Sequence, residues 1–409
     1  MGDTMKAKII SVGNELLMGK TVNTNLTFLS KALQSLGIEV RSAMSIRDEA
    51  RDIQEALKSS KEDLIIFTGG LGPTRDDITK ESVCKFYNLE LKLHHETQTR
   101  IKNYFAKQNR EMKSTNEKQA YFPNDAIVLS NNYGTAPGAI IKVAEKTIVL
   151  LPGPPSELIP MFAFVKAYLK ERTDADIYQS GYLVAGIGES EMEAEMDALY
   201  DKHPQVEIAP YADIASIQYI FTSADAKALE RALDHFRKRF SEYIVGPYDK
   251  TIETRVVETL MAQNKTISFA ESCTGGLLAA QIVNVPNVSE VFKESYVLYA
   301  NSAKIKQLGI NQMIIDKFGA VSKQCVYELA YQLAQRTDTD IVLSVSGIAG
   351  PSGGTAVKPV GTVYYGLYHE GKTKTYSKIF AGDRNLIRKK ATVYGLYLVL
   401  KALLHEDNY

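Results

Sequence analysis

A serine and a cysteine stand side by side in the segment AESCTGG (residues 270–276), where a predicted strand passes into a predicted helix. Ser272 or Cys273 could attack a carbonyl carbon there, and free N–H groups at the start of the helix could hold the oxyanion. The amides in question belong to Thr274, Gly275 and Gly276. An ordinary helix cap uses the same residue types, so the pattern leaves both interpretations open.

A lysine is the natural base for such a nucleophile. The chain has six histidines and none lies between His235 and His369, so a Ser–His–Asp triad within this region is disfavoured. Lys304, in the segment YANSAK (residues 299–304), is a candidate to take the proton of the nucleophile. A solvated surface lysine is the alternative interpretation.

Further glycine-rich segments follow in the same region: SVSGIAGPSGG (344–354), KPVGT (358–362) and AGDR (381–384). Arg384 and Arg388 lie one helical turn apart at a predicted helix start, so they could meet one phosphate together. A solvated, charged helix face would show the same spacing.

The N-terminal part carries a different constellation. TGGLGPTRDD (68–77) follows a buried strand and is expected to open a helix, whose glycines and free N–H groups suit phosphate. Asp76 and Asp77 add hard oxygen ligands for a divalent cation. Polar turns at 13–15 and 152–155 also follow strands, so the three turns could face one crevice. Alternatively, the acids only complement a helix dipole and the glycines only form turns.

The order of elements predicts an α/β protein with several domains. Strands alternate with helices in the N-terminal part, which indicates a mostly parallel sheet covered on both faces. The middle part predicts a small α+β unit, in which Ser190 and Glu193 fit a capping box at the start of a helix over 190–200. The predicted domains are 1–170, 171–249 and 250–409.

Composition narrows the class of protein. The 409 residues include 48 Lys+Arg and 48 Asp+Glu, and this neutral balance argues against nucleic-acid and membrane partners. Three widely separated cysteines favour neither a disulfide framework nor a zinc site, and they suit a reducing compartment. The first residues lack the pattern of a signal peptide. We therefore expect a cytoplasmic protein.

Three N-terminal motifs resemble those of the CinA-type competence/damage-inducible proteins: VGNELLMGKTVNTN (12–25), TGGLGPTRDD and LPGPPSE (151–157). The resemblance implies a three-layer, molybdopterin-binding-like α/β domain that hydrolyses ADP-ribose to AMP and ribose 5-phosphate. It also implies a divalent metal of the cobalt or magnesium class, together with potassium. By motif, Asp76 and Asp77 would hold the metal. The residues that would bind substrate are Asn14, Glu15, Asn25, Gly69, Gly70, Gly72 and Thr74.

AESCTGG, YANSAK, SGIAGPSGG, KPVGT and GDR, in this order, resemble the CinA C-terminal domain, a family of nicotinamide mononucleotide deamidases. The resemblance implies hydrolysis to nicotinate mononucleotide and ammonia without a cofactor. Ser272 would attack the carboxamide, Lys304 would assist it, and Arg384 would bind the phosphate or orient the site. Tyr299, Ser346 and Gly347 would lie nearby with the amides of residues 274–276. Cys273, the rival nucleophile, would then pack as a small apolar residue.

The resemblance further implies a KH-like middle domain and a homodimer. RNA binding does not follow for the middle domain, since it has no GXXG loop and is rich in acids; a connector or dimerisation element fits it better. Two other functions stay open for the chain. One is a nucleotide- or pterin-binding protein without turnover at the N-terminal site, and the other is a partner in competence or DNA damage.

Overall fold

A computed structural model describes residues 5–173 and 177–404 of the chain. The chain divides into two compact units, Met1–Tyr178 and Gln179–Tyr409. The prediction of a multidomain α/β protein is confirmed. The further division of the second unit near residue 249 stays a prediction.

The first unit is built of short strands and helices in alternation. Its strands are β1 (Lys6–Val12), β2 (Glu39–Ile46), β3 (Leu64–Thr68), β4 (Lys92–Leu93), β5 (Tyr121–Phe122), β6 (Ile127–Leu129), β7 (Gly138–Val143) and β8 (Lys146–Leu151). Its helices are α1 (Asn14–Leu17), α2 (Thr24–Gln34), α3 (Ala50–Lys58), α4 (Thr79–Phe86), α5 (His95–Ala106) and α6 (Pro155–Lys170), with a 3-10 helix at Ser114–Ala120.

A six-stranded sheet in the order β2-β1-β3-β8-β7-β6 forms the centre of the first unit. The first four strands are parallel, whereas β7 and β6 run antiparallel at one edge. Alternate residues enter separate cores: Ile9 and Ile66 pack with α2 and α6, whereas Ile10 and Ile65 pack with α3 and α4. Both faces of the sheet are therefore covered, and the loops that follow the parallel strands meet at the carboxyl ends of those strands.

The segment after β3 differs from its prediction. TGGLGPTRDD does not open a helix, because α4 begins only at Thr79. Gly69 and Gly70 adopt left-handed conformations with φ of 94° and 68°, and the Thr79 N–H donates to the Gly70 carbonyl at 3.1 Å. Residues 69–78 thus form a closed loop, and Asp76 and Asp77 lie on this loop rather than in the first turn of a helix.

The second unit begins with an antiparallel α+β region. Its elements are β9 (Tyr178–Ala185), α7 (Glu189–Glu193), α8 (Asp197–Lys202), β10 (Glu207–Asp213), β11 (Ser216–Ser223), α9 (Ala226–Phe240) and β12 (Ile244–Pro247). The strands form one sheet in the order β10-β11-β9-β12.

The predicted helix over 190–200 and its capping box are both wrong. Two short helices, α7 and α8, replace the single helix, and α7 is capped by Gly188 without a side-chain bond. The Glu193 carboxylate instead accepts hydrogen bonds from the hydroxyls of Tyr200 and Tyr219, at 3.0 and 2.8 Å. Satisfying these tertiary partners outweighs the local cap.

The rest of the second unit contains a further sheet and its helices. The strands are β13 (Ile267–Glu271), β14 (Phe292–Val297), β15 (Ile341–Gly347), β16 (Thr362–His369) and β17 (Lys372–Ile379). The helices are α10 (Ile252–Ala262), α11 (Leu277–Ile282), α12 (Asn301–Leu308), α13 (Gln312–Phe318), α14 (Lys323–Thr337) and α15 (Arg384–Leu404), with a 3-10 helix at Val288–Glu290. Among the helices of the described segments, none is long and apolar enough to cross a membrane.

The five strands form one sheet in the order β14-β13-β15-β16-β17. β14, β13 and β15 are parallel, whereas β16 and β17 pair antiparallel. Phe269 and Leu343 face a core shared with α10, α11 and α15, whereas Ala270 and Val342 face α12 and α14. Because the three parallel strands end at one edge, the turn after β13 comes close to the segment after β14.

One glycine tests how tightly α14 packs on this sheet. A Cβ on Gly366 of β16 would clash with the Val326 backbone carbonyl of α14 and lie 2.6 Å from the Ser344 hydroxyl, which is itself hydrogen-bonded to that carbonyl. We expect Gly366→Ala to lower the free energy of unfolding by about 1–3 kcal/mol, measured by urea unfolding with circular dichroism. Gly188→Ala is the matched control, since its Cβ would meet nothing within 4 Å. Equal stability of the two variants would contradict the packing described.

Candidate active sites

The turn after β13 presents Ser272 to the edge of the second unit's parallel strands. The Ser272 N–H donates to the Val345 carbonyl of β15 at 2.9 Å, so the residue is fixed to the neighbouring strand. Gly275 and Gly276 then take φ of 62° and 92°, which reverses the chain into α11. Ser272 is only 8% exposed, so its hydroxyl lies in a largely water-free setting.

Lys304 of α12 lies against this serine and is 1% exposed, so the surface-lysine interpretation is wrong. Its Nζ lies 3.1 Å from the Ser272 Oγ and donates to the carbonyls of Leu298 and Tyr299 at 2.7 and 3.3 Å. Burial lowers the pKa of Lys304 from its usual value, because a charged amine is poorly solvated there. The sequence-predicted nucleophile and base are thus brought within hydrogen-bonding distance.

The amides expected to hold an oxyanion are mostly engaged elsewhere. The Gly275 N–H donates to the Ser272 carbonyl at 3.1 Å, and the Gly276 N–H donates to the Glu271 carboxylate at 3.0 Å. The expectation is therefore wrong for these two glycines, because the Ser272 carbonyl accepts from one N–H group and the buried Glu271 carboxylate accepts from the other. Thr274 is fully buried, and its hydroxyl has no partner within the described residues.

Cys273 does not have the properties of a nucleophile. Burial raises the pKa of its thiol to about 12, and the residue belongs to the apolar core. Gly347 makes room for it, since a Cβ there would lie 3.0 Å from the Cys273 sulfur and 2.7 Å from a methyl of Val363. Gly347 therefore serves close packing beside the turn.

Arg384 and Tyr299 form the exposed side of this site. The Arg384 guanidinium donates to the Tyr299 hydroxyl and to the Gly350 carbonyl, both at 2.7 Å. Tyr299 is 60% exposed, so this pair is open to solvent. Ser346 is separate: it is buried, and its hydroxyl donates to the Ala320 carbonyl at 2.8 Å.

Arg388 does not join Arg384 in one phosphate site. Its guanidinium donates to the carbonyls of Cys273 and Thr274, at 3.1 and 2.7 Å. The two arginines share a helix face, but Arg388 is held by the backbone of the turn that follows Ser272. The expectation of a shared phosphate is therefore wrong.

In the first unit, a cleft of about 360 Å³ opens at the carboxyl edge of the sheet. The three polar turns do face this one crevice, as predicted. The cleft is lined by Gly13, Glu15, Gly69, Gly70, Gly72, Asp76, Asp77, Pro152, Gly153, Pro154 and Glu157, among others. Gly69 is required at its floor, because a Cβ there would clash with the Val12 carbonyl.

Asp48 is a cleft residue that the sequence analysis missed. It is half-buried, and its pKa is raised first by burial and then by repulsion from Glu15, Asp76 and Asp77. Four carboxylates therefore share one region of the cleft. Asp48 follows β2, whose sequence EVRSAMSI lacks an apolar alternation that would have marked it as a strand at this edge.

The loop that carries Asp76 and Asp77 is held by a hydroxyl of its own and by a lysine from another segment. The Thr74 hydroxyl lies within hydrogen-bonding distance of both carboxylates, and its bond to Asp76 lowers the pKa of that acid. The Lys118 amine donates to the carbonyls of Thr74 and Asp77. Lys118 is in turn held at its own carbonyl by buried Lys80, whose pKa burial lowers to about 8. Neither lysine was found from sequence, since both lie outside the glycine-rich motifs.

The predicted pocket asparagines act indirectly. Asn25 is buried, and its amide donates to the Gly153 carbonyl at 2.6 Å, which fixes the turn after β8. Asn14 is exposed and contributes its backbone N–H to the Asp48 carboxylate at 3.0 Å. Asn25 therefore supports a turn that lines the cleft, and Asn14 binds a carboxylate that lines it.

The carboxylates suit a hard divalent cation by chemistry, but they do not form a complete cage. Within residues 5–173 and 177–404, no group of three or more His, Cys, Asp or Glu side chains is arranged to hold a metal ion. Magnesium-class ions often use one or two carboxylates together with substrate phosphates. The residues present fit a cation that arrives with a phosphorylated ligand.

These features define a multidomain α/β protein with a molybdopterin-binding-like first domain. Residues 8–171 match the family model described as "Probable molybdopterin binding domain", and residues 249–403 match the CinA C-terminal domain. A CinA-like protein of Dictyoglomus thermophilum is 44% identical over 98% of this chain and 100% of its own length. One of Kosmotoga olearia is 44% identical over 98% and 99%. The chain belongs to the CinA family.

Proposed function

We propose that the second unit hydrolyses the carboxamide of nicotinamide mononucleotide, which yields nicotinate mononucleotide and ammonia. The observation that supports this is the buried Lys304 amine, 3.1 Å from the Ser272 hydroxyl. A nucleophile and a base in hydrogen-bond contact are what acyl transfer requires. The resemblance of the surrounding motifs to the deamidase family supplies the substrate.

The surroundings of Lys304 suit a base. A neutral amine has two N–H groups and one lone pair. The Leu298 and Tyr299 carbonyls would take the two N–H groups, which leaves the lone pair to accept the proton of Ser272. Burial favours this neutral form, as the lowered pKa of Lys304 indicates.

The reaction then has two stages. Ser272 Oγ forms a bond to the carboxamide carbon while its proton moves to Lys304, and the C–N bond breaks as Lys304 returns the proton to the leaving ammonia. Water cleaves the acyl ester in the second stage, with Lys304 again taking the proton, and regenerates Ser272. Arg384, exposed beside Tyr299, is the group that would meet the phosphate of the mononucleotide.

Replacement of the nucleophile tests this proposal directly. We expect Ser272→Ala to lower ammonia release from nicotinamide mononucleotide by on the order of 10⁴-fold or more, because the acyl intermediate cannot form. Cys273→Ala is the matched control, and we expect it to keep most of the activity, since the thiol is buried and protonated. Activity that survives in folded Ser272→Ala, or absence of ammonia from folded wild type, would overturn the assignment.

The pH dependence tests the base. Lys304 must be neutral to accept a proton, so kcat/KM should rise with pH through its lowered pKa, and this limb should lie below the usual 10.5. Lys304→Arg stays charged at all these values, so we expect it to lose the limb and about 10²–10⁴-fold in rate. Lys306→Arg, exposed on the same helix, should leave the profile unchanged. An unaltered profile in Lys304→Arg would exclude the lysine as the base.

We further propose that the cleft of the first unit hydrolyses ADP-ribose to AMP and ribose 5-phosphate, so that both units act on pyridine-nucleotide metabolites. The mutually repelling carboxylates of Asp48, Glu15, Asp76 and Asp77 support this proposal, and so does the close approach that Gly69 allows. Asp76 and Asp77 would hold a divalent cation together with the pyrophosphate, and the cation would offset charge in the transition state. Thr74 and Lys118 orient the two acids, and Glu15 is a candidate base for the attacking water.

Asp76→Asn tests the metal and the cleft together. We expect loss of metal-dependent ADP-ribose hydrolysis by about 10²-fold or more, with weaker calorimetric binding of Mg²⁺ or Co²⁺ in the presence of AMP, because one anionic ligand is removed. Asp125→Asn, exposed and outside the cleft lining, is the control. Binding of nucleotide by wild type without any hydrolysis would replace the proposal with a binding function.

A further inference from the structure

Glu271 is a fully buried carboxylate immediately before the nucleophile, and the mechanism above does not use it. Its Oε2 accepts from the amides of Gly276 and Leu278, both at 3.0 Å. Its Oε1 accepts from the amide of Ala279 at 3.0 Å and from the hydroxyl of Ser295 at 3.1 Å. Four hydrogen bonds therefore satisfy an acid that has no salt bridge within the described part of the chain.

These bonds connect two elements that carry different parts of the site. The three amides belong to the turn and to α11, which fix the position of Ser272. Ser295 belongs to β14, which runs on into Leu298 and Tyr299, whose carbonyls hold the Lys304 amine. The backbone repeats the connection, since the Leu298 N–H donates to the Glu271 carbonyl at 2.7 Å.

Arg388 holds the same turn through the carbonyl groups of the turn. It donates to the carbonyls of Cys273 and Thr274, whereas Glu271 accepts from the amides that follow. The carbonyl groups of the turn thus bind the Arg388 guanidinium, and the amides that follow bind the Glu271 carboxylate. Charged hydrogen bonds of this kind are stronger and more directional than neutral ones.

We propose that Glu271 is a positioning residue for the serine–lysine pair: its carboxylate sets the distance between Ser272 Oγ and Lys304 Nζ by joining the nucleophile turn to β14. This rests on the proposed deamidase function. A displacement of about 1 Å between reacting groups can cost on the order of 10²-fold in rate, so the link has a measurable role.

Glu271→Gln keeps the shape but replaces one acceptor oxygen by an N–H₂ group, which opposes the amide or hydroxyl that faces it. We expect kcat for nicotinamide mononucleotide to fall about 10- to 100-fold with KM within about twofold, because no substrate contact is altered. We also expect slower labelling of Ser272 by a fluorophosphonate, which reports the reactivity of the hydroxyl without the natural substrate.

Two further variants complete the experiment. Glu193→Gln alters another hydrogen-bonded acid of the same unit, bound by Tyr200 and Tyr219, and we expect it to change stability but neither kcat nor labelling. Ser295→Ala removes only the bond to β14, and we expect a several-fold lower kcat. If Glu271→Gln does not fold, kcat and labelling of folded Ser295→Ala test the positioning role.

The outcomes separate the two proposals. Unchanged kcat and labelling in folded Glu271→Gln, or in folded Ser295→Ala if the first variant fails to fold, overturn the positioning role. If wild type releases no ammonia but its Ser272 is labelled, the deamidase assignment fails alone, and slower labelling of Glu271→Gln still supports the positioning role. If wild-type Ser272 is neither labelled nor active, both proposals fail.

Discussion

The burial of one amine constrains the whole second site. Lys304 is 1% exposed, and an amine in that setting is stable only when its hydrogen bonds are satisfied by fixed partners. The partners are two backbone carbonyls and one hydroxyl, which come from the segment after β14 and the turn after β13. Parallel pairing of β13 with β14 brings these segments together, so the proposed chemistry depends on the sheet order.

In each unit, the candidate site lies where the parallel strands of its own sheet end, but the two sites differ in charge. In the first unit, Asp48, Glu15, Asp76 and Asp77 accumulate negative charge in an open cleft, where the proposed cation would relieve their repulsion. In the second unit, one nearly buried amine faces one hydroxyl. An open, charged cleft suits the proposed phosphorylated ligand with its counter-ion. A buried amine and hydroxyl suit the neutral carboxamide of the proposed mononucleotide, whose phosphate would lie at the exposed Arg384.

Much of this organisation could be predicted from sequence. Apolar periodicity found β1, β3, β8, β13 and β15, and the polar residues after these strands mark both sites. The pairing of Ser272 with Lys304 followed from the scarcity of histidine and from family motifs. Local sequence pattern gave wrong predictions where tertiary hydrogen bonds determine the position of a side chain. Glu193 bonds to two tyrosines and not to a helix start, and Arg388 turns to backbone carbonyls. Asp48 and Lys118 reach the first cleft from distant segments without a motif of their own.

The buried thiol of Cys273, beside Ser272, has a consequence for redox behaviour. Oxidation to sulfenic acid proceeds through an exposed thiolate, and Cys273 is buried with a pKa of about 12. Cys84 and Cys325 are also buried, and burial raises the pKa of both. A site built on serine and lysine, with its neighbouring sulfur kept protonated and out of reach, does not depend on a reductant. The proposed serine–lysine chemistry would therefore tolerate oxidants that inactivate hydrolases with a cysteine nucleophile.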